Sequence, residues 1–261
     1  MNRAGVWIPY LMLVYAFLLF PIIVAVGTSV NTGALSLFPP HGFSWRWYAA
    51  FVQDADFTHA FVAVSLKIAA LVAVISGSLA LAGAYALVRV PFRGRSAVEL
   101  FLLSPLMVPG MVVGLALLML FSRYAVADEG RIVIGHVIIT LPIALRAVMA
   151  SLRGTDLALE DVARSLGATW LQAFGRVTMP LVGSGLLAAM LFAFTLSFTD
   201  VNVALFLTGP RTTTLPIQVF AYLRWQSTPV VAAVAAIQVA LVLVVALLID
   251  RLVGLERILR Y

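Results

Sequence analysis

Cysteine is absent from the 261 residues, and lysine occurs once, at Lys67. The first absence excludes disulfides, thiolate metal sites and cysteine nucleophiles. The second excludes a Walker A loop, which needs a lysine before Ser or Thr after a glycine-rich turn, whereas Lys67 precedes Ile68. Any ATP chemistry therefore belongs to another chain. His41, His59 and His136 are dispersed without metal-ligand spacing, so no metal site is expected, and no nucleophile–base constellation is visible. Charge is scarce as well: 11% of residues are charged and 63% are hydrophobic, with a mean hydropathy of +1.08. A soluble chain carries about 25% charged residues and could not hide this much apolar surface. The solvent must be a bilayer. The net charge of +6 reflects basic residues flanking membrane spans, so no nucleic-acid partner is expected.

Six apolar stretches approach the ~20 residues that a bilayer core requires. They are Val6–Val30, Ala60–Val88, Ala97–Ser122, Ile132–Ala150, Leu181–Thr208 and Val230–Val253. The fourth is interrupted by Arg146 and contains His136 and Pro142. The first exceeds the 7–15 residue core of a signal peptide and reads as a retained helix, although Ala25-Val26-Gly27 resembles a cleavage site. With the N-terminus inside, eleven arginines fall on the cytoplasmic side: Arg3, Arg89, Arg93, Arg95, Arg146, Arg153, Arg164, Arg176, Arg251, Arg257 and Arg260. Five (Arg46, Arg123, Arg131, Arg211 and Arg224) fall outside. The positive-inside rule therefore places both termini in the cytoplasm. Trp7, Tyr10, Trp45, Trp47, Tyr48, Tyr222 and Trp225 lie near span ends, as interfacial anchors do.

The longest cytoplasmic connection, about residues 151–179, is too polar to span. Leu159, Val162, Ala163 and Leu166 recur at helical spacing, giving one apolar face. Asp156 suits the helix start, Gly167 the left-handed residue that ends it, and Glu160 and Arg164 form an i,i+4 pair. A second helical piece places Trp170 and Phe174 one turn apart before Pro180. By pattern alone this helix–glycine–helix unit fits either a partner's groove or the membrane surface.

The run Asp161-Val162-Ala163, three residues, Gly167, nine residues, Val177, one residue, Met179-Pro180 resembles the EAA loop of binding-protein-dependent ABC importer permeases. That pattern is Glu-Ala-Ala, three residues, Gly, nine residues, Ile, one residue, Leu-Pro; Val162 is the largest departure and adds bulk. The resemblance covers nearly the whole chain. It implies an all-α polytopic membrane protein of the type I ABC importer permease fold, with six transmembrane helices and cytoplasmic N- and C-termini. Residues 1–261 would form a single permease domain. It further implies that Glu160, Asp161, Ala163 and Gly167, with Arg164 nearby, form a coupling contact with a separate ATPase. The expected partners are a dimer of ATP-binding subunits, a second permease subunit (a heterodimer favoured over a homodimer), a periplasmic or surface-anchored solute-binding protein, and membrane lipid. The chain itself would carry no cofactor, ATP and Mg²⁺ sitting on the ATPase. Ser197-Phe198-Thr199-Asp200, Thr208-Gly209-Pro210 and Thr214-Leu215-Pro216 resemble the spermidine/putrescine branch, which includes relatives for phosphonates and ferric iron.

A charge inside a span is costly and points to function. Asp200 is the best candidate for the translocation pathway, with Thr199 and Asn202 beside it. Thr195, Thr199 and Asn202 share one helical face and Ser197 and Asp200 lie opposite, so one face lines the pathway and the other packs. Lys67, near the end of the second stretch, is placed to snorkel. Gly110 and Gly114 form a G-x-x-x-G pair suited to close helix contact. The outward loops hold Asp54, Asp56, Asp128 and Glu129 against five arginines, which gives no support for a polycation as solute. The alternative reading is an ion-coupled secondary transporter using Asp200.

Overall fold

The computed structural model describes residues 4–156, 158–226 and 228–253, and the side chains of all of these except residues 4–7, 249, 250, 252 and 253. Arg3, Arg257 and Arg260, used above for orientation, lie outside the described residues, as does the side chain of Trp7. Every regular element among the described residues is helical. The order is α1 (Ala4–Ser29), α2 (Arg46–Gln53), α3 (Ala55–Thr58), a π-helical run His59–Leu66, α4 (Lys67–Arg89), α5 (Arg95–Leu103), a 3₁₀ turn Ser104–Met107 and α6 (Gly110–Phe121). Next come α7 (Asp128–Arg153), α8 (Ala158–Ser165), α9 (Trp170–Ala173), a π-helical turn Phe174–Thr178, α10 (Met179–Thr199), α11 (Ala204–Leu207), α12 (Leu215–Leu223) and α13 (Val230–Val253). Five helical stretches are long and apolar enough to cross a bilayer, and a sixth span exists if Arg95–Met107 and Gly110–Phe121 count together.

Those last two segments meet at a bend of 102°, so the straight third helix expected over Ala97–Ser122 is corrected to a broken one. Pro109 is the cause. It lacks an N–H, and its ring forces the preceding residue out of the helical region, so Val108 is extended at φ −99°, ψ 129°. The fifth stretch is corrected too. Helix α10 stops at Thr199, Asp200 is extended at φ −69°, ψ 132°, and the chain resumes only in the short α11. Hydropathy cannot distinguish one long helix from two apolar pieces joined at a turn.

The described residues fall into two compact units. The larger takes in residues 60–217. Its centre is α4, α7 and α10, packed on one another. Small residues permit the close approach: Ala80 and Ala84 of α4, Ala144 of α7 and Ala189 of α10 are fully buried beside Leu87, Leu145, Val148, Leu152 and Val182. Ser76 and Thr140 share a buried hydroxyl–hydroxyl bond of 2.8 Å, and a Cβ at Gly77 would collide with Met190. A second cluster joins Val64, Ile68 and Val72 to Phe121, Ile132, Val203 and Leu207. Here Gly114 and Gly135 leave room for the α11 segment: a Cβ on Gly114 would lie 2.9 Å from Phe206, and one on Gly135 would strike Leu207 and Val203. The G-x-x-x-G pair thus contacts this segment rather than another long helix.

The smaller unit takes in residues up to 59 and residues 218–244. Helix α1 is nearly bare, with Met12, Leu13 and Phe17 between 67% and 77% exposed, a surface for lipid or another chain. The loop after it is tied by buried Asn31, whose side-chain oxygen accepts from the N–H of Gly33 and of His41 at 3.1 Å. Trp47 donates its indole N–H to the Asn31 carbonyl at 2.8 Å, and Phe57, fully buried, packs on Phe51 and Tyr222.

Candidate functional site

Two places in the larger unit carry the residues singled out by sequence: the loop around α8 and the break after α10. In the loop, Asp156 caps as expected, its Oδ1 accepting from the Ala158 N–H at 2.9 Å. Helix α8 ends in a Schellman turn: the Gly167 N–H donates to the Arg164 carbonyl at 3.0 Å and the Ala168 N–H to the Ala163 carbonyl at 3.1 Å. Gly167 has φ +93°, a conformation that a residue with a Cβ rarely adopts. Helix α9 then starts in a capping box. The Gln172 N–H donates to Thr169 Oγ1 at 3.3 Å, and the Thr169 N–H donates to Gln172 Oε1 at 2.9 Å. The T-x-x-Q spacing carried that signal, and the sequence reading passed over it.

Asp161, Arg164 and Gly167 are exposed and Ala163 is half-buried. Along the predicted apolar face Leu159, Val162 and Leu166 are 47%, 56% and 84% exposed, so nothing among the described residues covers it. Glu160 differs. It is 8% exposed and turned into its own chain, Oε1 accepting from the Tyr85 hydroxyl at 2.6 Å and Oε2 from the Thr178 hydroxyl at 2.9 Å. The expected pairing of Glu160 with Arg164 is therefore not made: both carboxylate oxygens are engaged elsewhere, and Arg164 has no ion pair among the described residues. Tyr85 also accepts the Trp170 indole N–H at 2.8 Å. Its ring stands edge-on to Trp170 and Phe174, which lie one turn apart as their spacing predicted and stack on each other at 5.7 Å. No local pattern could have found Tyr85 or Thr178. Arg89, one turn beyond Tyr85, donates to the Thr155 hydroxyl at 2.6 Å.

At the break, Asp200 is 9% exposed, and its Oδ2 accepts from the backbone N–H of Val203 at 2.9 Å and of Ala204 at 3.0 Å. It caps the turn into α11. On the other side His136 of α7, 1% exposed, shares a 2.8 Å bond between Nδ1 and Ser197 Oγ and holds Nε2 3.5 Å from Asp200 Oδ2, long for a hydrogen bond. Of the two faces separated by sequence, Ser197 and Asp200 are the packed one, whereas Thr199 and Asn202 are exposed. Lys67 grips both oxygens of Glu129, at 2.9 and 2.7 Å. Among the described residues no group of three metal-ligating side chains converges.

The capped helix–glycine–helix loop thus precedes a broken penultimate long helix in a chain with five, or up to six, apolar helical spans. The chain belongs to the family of binding-protein-dependent transport system inner membrane components, which matches residues 78–255. Among its relatives, the putrescine transport system permease protein PotI of Escherichia coli K12 is 36% identical over 235 residues, covering 87% of this chain and 83% of that one. The spermidine/putrescine transport system permease protein PotC of Haemophilus influenzae is 32% identical over 242 residues, 92% of this chain and 93% of that one. A bacterial ABC transporter involved in the import of the acidic polysaccharide alginate has the same fold, with a TM-score of 0.71 over 96% of this chain and 98% of that chain at 21% identity. The protein is thus a multi-pass permease subunit of an ABC importer, seated in the bacterial inner membrane.

Proposed function

We propose that this chain acts as a single permease domain with both termini cytoplasmic, forming half of the pathway by which polyamine-type cations enter the cell. A related second permease completes the pathway as a heterodimer, a solute-binding protein delivers cargo from outside, and two ATPase subunits bind ATP and Mg²⁺ below. The carrying observation is the uncovered apolar face of α8, capped by Asp156 and closed by Gly167 at φ +93°. Leu159, Val162 and Leu166, flanked by Asp161, Ala163 and Arg164, dock in the ATPase cleft. Closure of the ATPases on ATP favours one global state of the bundle and hydrolysis restores the other, so the solute meets alternating access.

The polyamine assignment is supported by the relatives' named solutes. This chain adds little acid to select a polycation. Glu129 is held by Lys67, Asp128 lies 3.3 Å from Arg131, and Asp54 caps α3 by accepting from the N–H groups of Asp56 and Phe57. Selection therefore rests with the binding protein and the second permease. Thr199 and Asn202 line the pathway, and Asp200 shapes the turn that presents them. Complex purified from its native membrane and reconstituted in liposomes tests the reading. Labelled putrescine should enter only with ATP on the ATPase side and binding protein on the other. Uptake driven by an ion gradient without ATP would replace this mechanism with the secondary-transport one.

A further inference from the structure

Of the eight residues of α8, Glu160 alone is buried, and among the described residues it makes no ion pair, although Arg89 lines the pocket beside it. Withdrawing a carboxylate from water is costly unless donors replace the lost hydration. Here two neutral hydroxyls do so, and each comes from a different element. Tyr85 sits on α4, 75 residues earlier; Thr178 ends the π turn that runs straight into α10, 18 residues later. Bonds from a hydroxyl to a carboxylate are short and strong, and 2.6 Å at Tyr85 is of that kind. The Trp170 N–H closes the arrangement by donating to the same Tyr85 oxygen, so α8 and α9 hold one tyrosine between them.

We propose that Glu160 is the joint through which motion of α8 reaches two membrane helices at once, with Tyr85 and Thr178 as its positioning residues. The proposal rests on the reading of α8 as the coupling helix. It differs from the family-derived expectation, which put Glu160 in the ATPase contact. At 100° per residue Glu160 points roughly a third of a turn away from the Leu159–Val162–Leu166 face, so one side of the helix receives force and another hands it on. Because α4 and α10 already pack together and on α7, a carboxylate bonded to both moves them as a pair. A pocket of about 230 Å³ lies beside the joint, lined in part by Tyr85, Arg89, Glu160 and Trp170.

The test uses the assembled transporter in liposomes, reading solute uptake and ATP hydrolysis on the same sample. Tyr85→Phe keeps the ring stack and removes only the hydroxyl; Glu160→Gln keeps the size and removes the charge; Thr178→Ser keeps the hydroxyl where Thr178→Val does not. Tyr85→Phe, Glu160→Gln and Thr178→Val should each retain the ATPase while solute moved per ATP falls at least tenfold, and Thr178→Ser should match wild type. An unchanged ratio, or uptake and hydrolysis falling in parallel, makes the cluster a brace and overturns the joint. Leu166→Asp separates the two readings. Loss of the ATPase from that variant supports the coupling helix whatever the joint does, and its retention removes the coupling helix and the joint together. The absence of cysteine permits a structural readout. Spin labels on Val90→Cys and Ser165→Cys should report one narrow distance in both nucleotide states, broadened by Glu160→Gln; equal widths would overturn the joint.

Discussion

Two buried carboxylates stand at two breaks in this chain, and they are used in opposite ways. Asp200 accepts with a single oxygen, from N–H groups three and four residues ahead of it. Glu160 accepts with both oxygens, from side chains 75 residues behind and 18 ahead. The first fixes the shape of one turn. The second fixes a relation between three segments. A local cap tolerates any residue that supplies an acceptor, whereas a cross-segment bond fails when either end moves, so the same chemistry gives a static cap in one place and a contact fit for the proposed transmission in the other.

The largest effect should come from the loop that presents Glu160. Gly167→Val forces a β-branched residue into φ +93° and unmakes the Schellman turn. Recovery of the ATPase with tagged permease should fall more than tenfold; normal assembly and uptake would remove the coupling role of the loop. Next is Glu160→Ala, which leaves the buried Thr178 hydroxyl and the half-buried Tyr85 hydroxyl without their acceptor. A loss of about 1–3 kcal/mol is expected, read as a lowered midpoint of thermal unfolding in detergent. A smaller loss would mean that water replaces the carboxylate. Asp200→Ala should cost about 1 kcal/mol as a lost cap, and Asp200→Asn almost nothing in stability, because an amide oxygen still accepts. With the cap kept, Asp200→Asn should leave uptake and assembly unchanged as well, and lowered uptake with assembly intact would show that the Asp200 charge itself acts in the pathway. The smallest effect belongs to a third carboxylate, Glu129, about half exposed with Lys67. Lys67→Met should change stability by less than about 1 kcal/mol, and a larger change would show that the pair is shielded from water by another chain.

The parts of this structure that were legible in the sequence are those whose physics is local. Gly167, the Asp156 cap, the apolar stripe of α8 and the one-turn spacing of Trp170 and Phe174 are set by the local sequence. Asp200 announced itself as a charge in an apolar run, and the structure turned that charge into a cap. The bend at Pro109 was missed because two prolines in an apolar stretch are tolerable in a membrane helix, and only tertiary packing decides between a kink and a break. Tyr85 and Thr178 were invisible for the same reason, and so was the bond from Ser197, a residue the sequence placed on the face of Asp200, to His136. Each finds its partner at least 18 residues away, and no periodicity encodes that.

The ring cluster at the joint also has an optical consequence. Trp170 is one of five tryptophans, and the other four, at positions 7, 45, 47 and 225, lie outside residues 60–217. With those four replaced by phenylalanine, emission would come from one indole, bonded through its N–H to Tyr85 and stacked on Phe174. Its colour and anisotropy would then report on the loop proposed for coupling through each ATP cycle, with a natural residue as the probe and no attached dye.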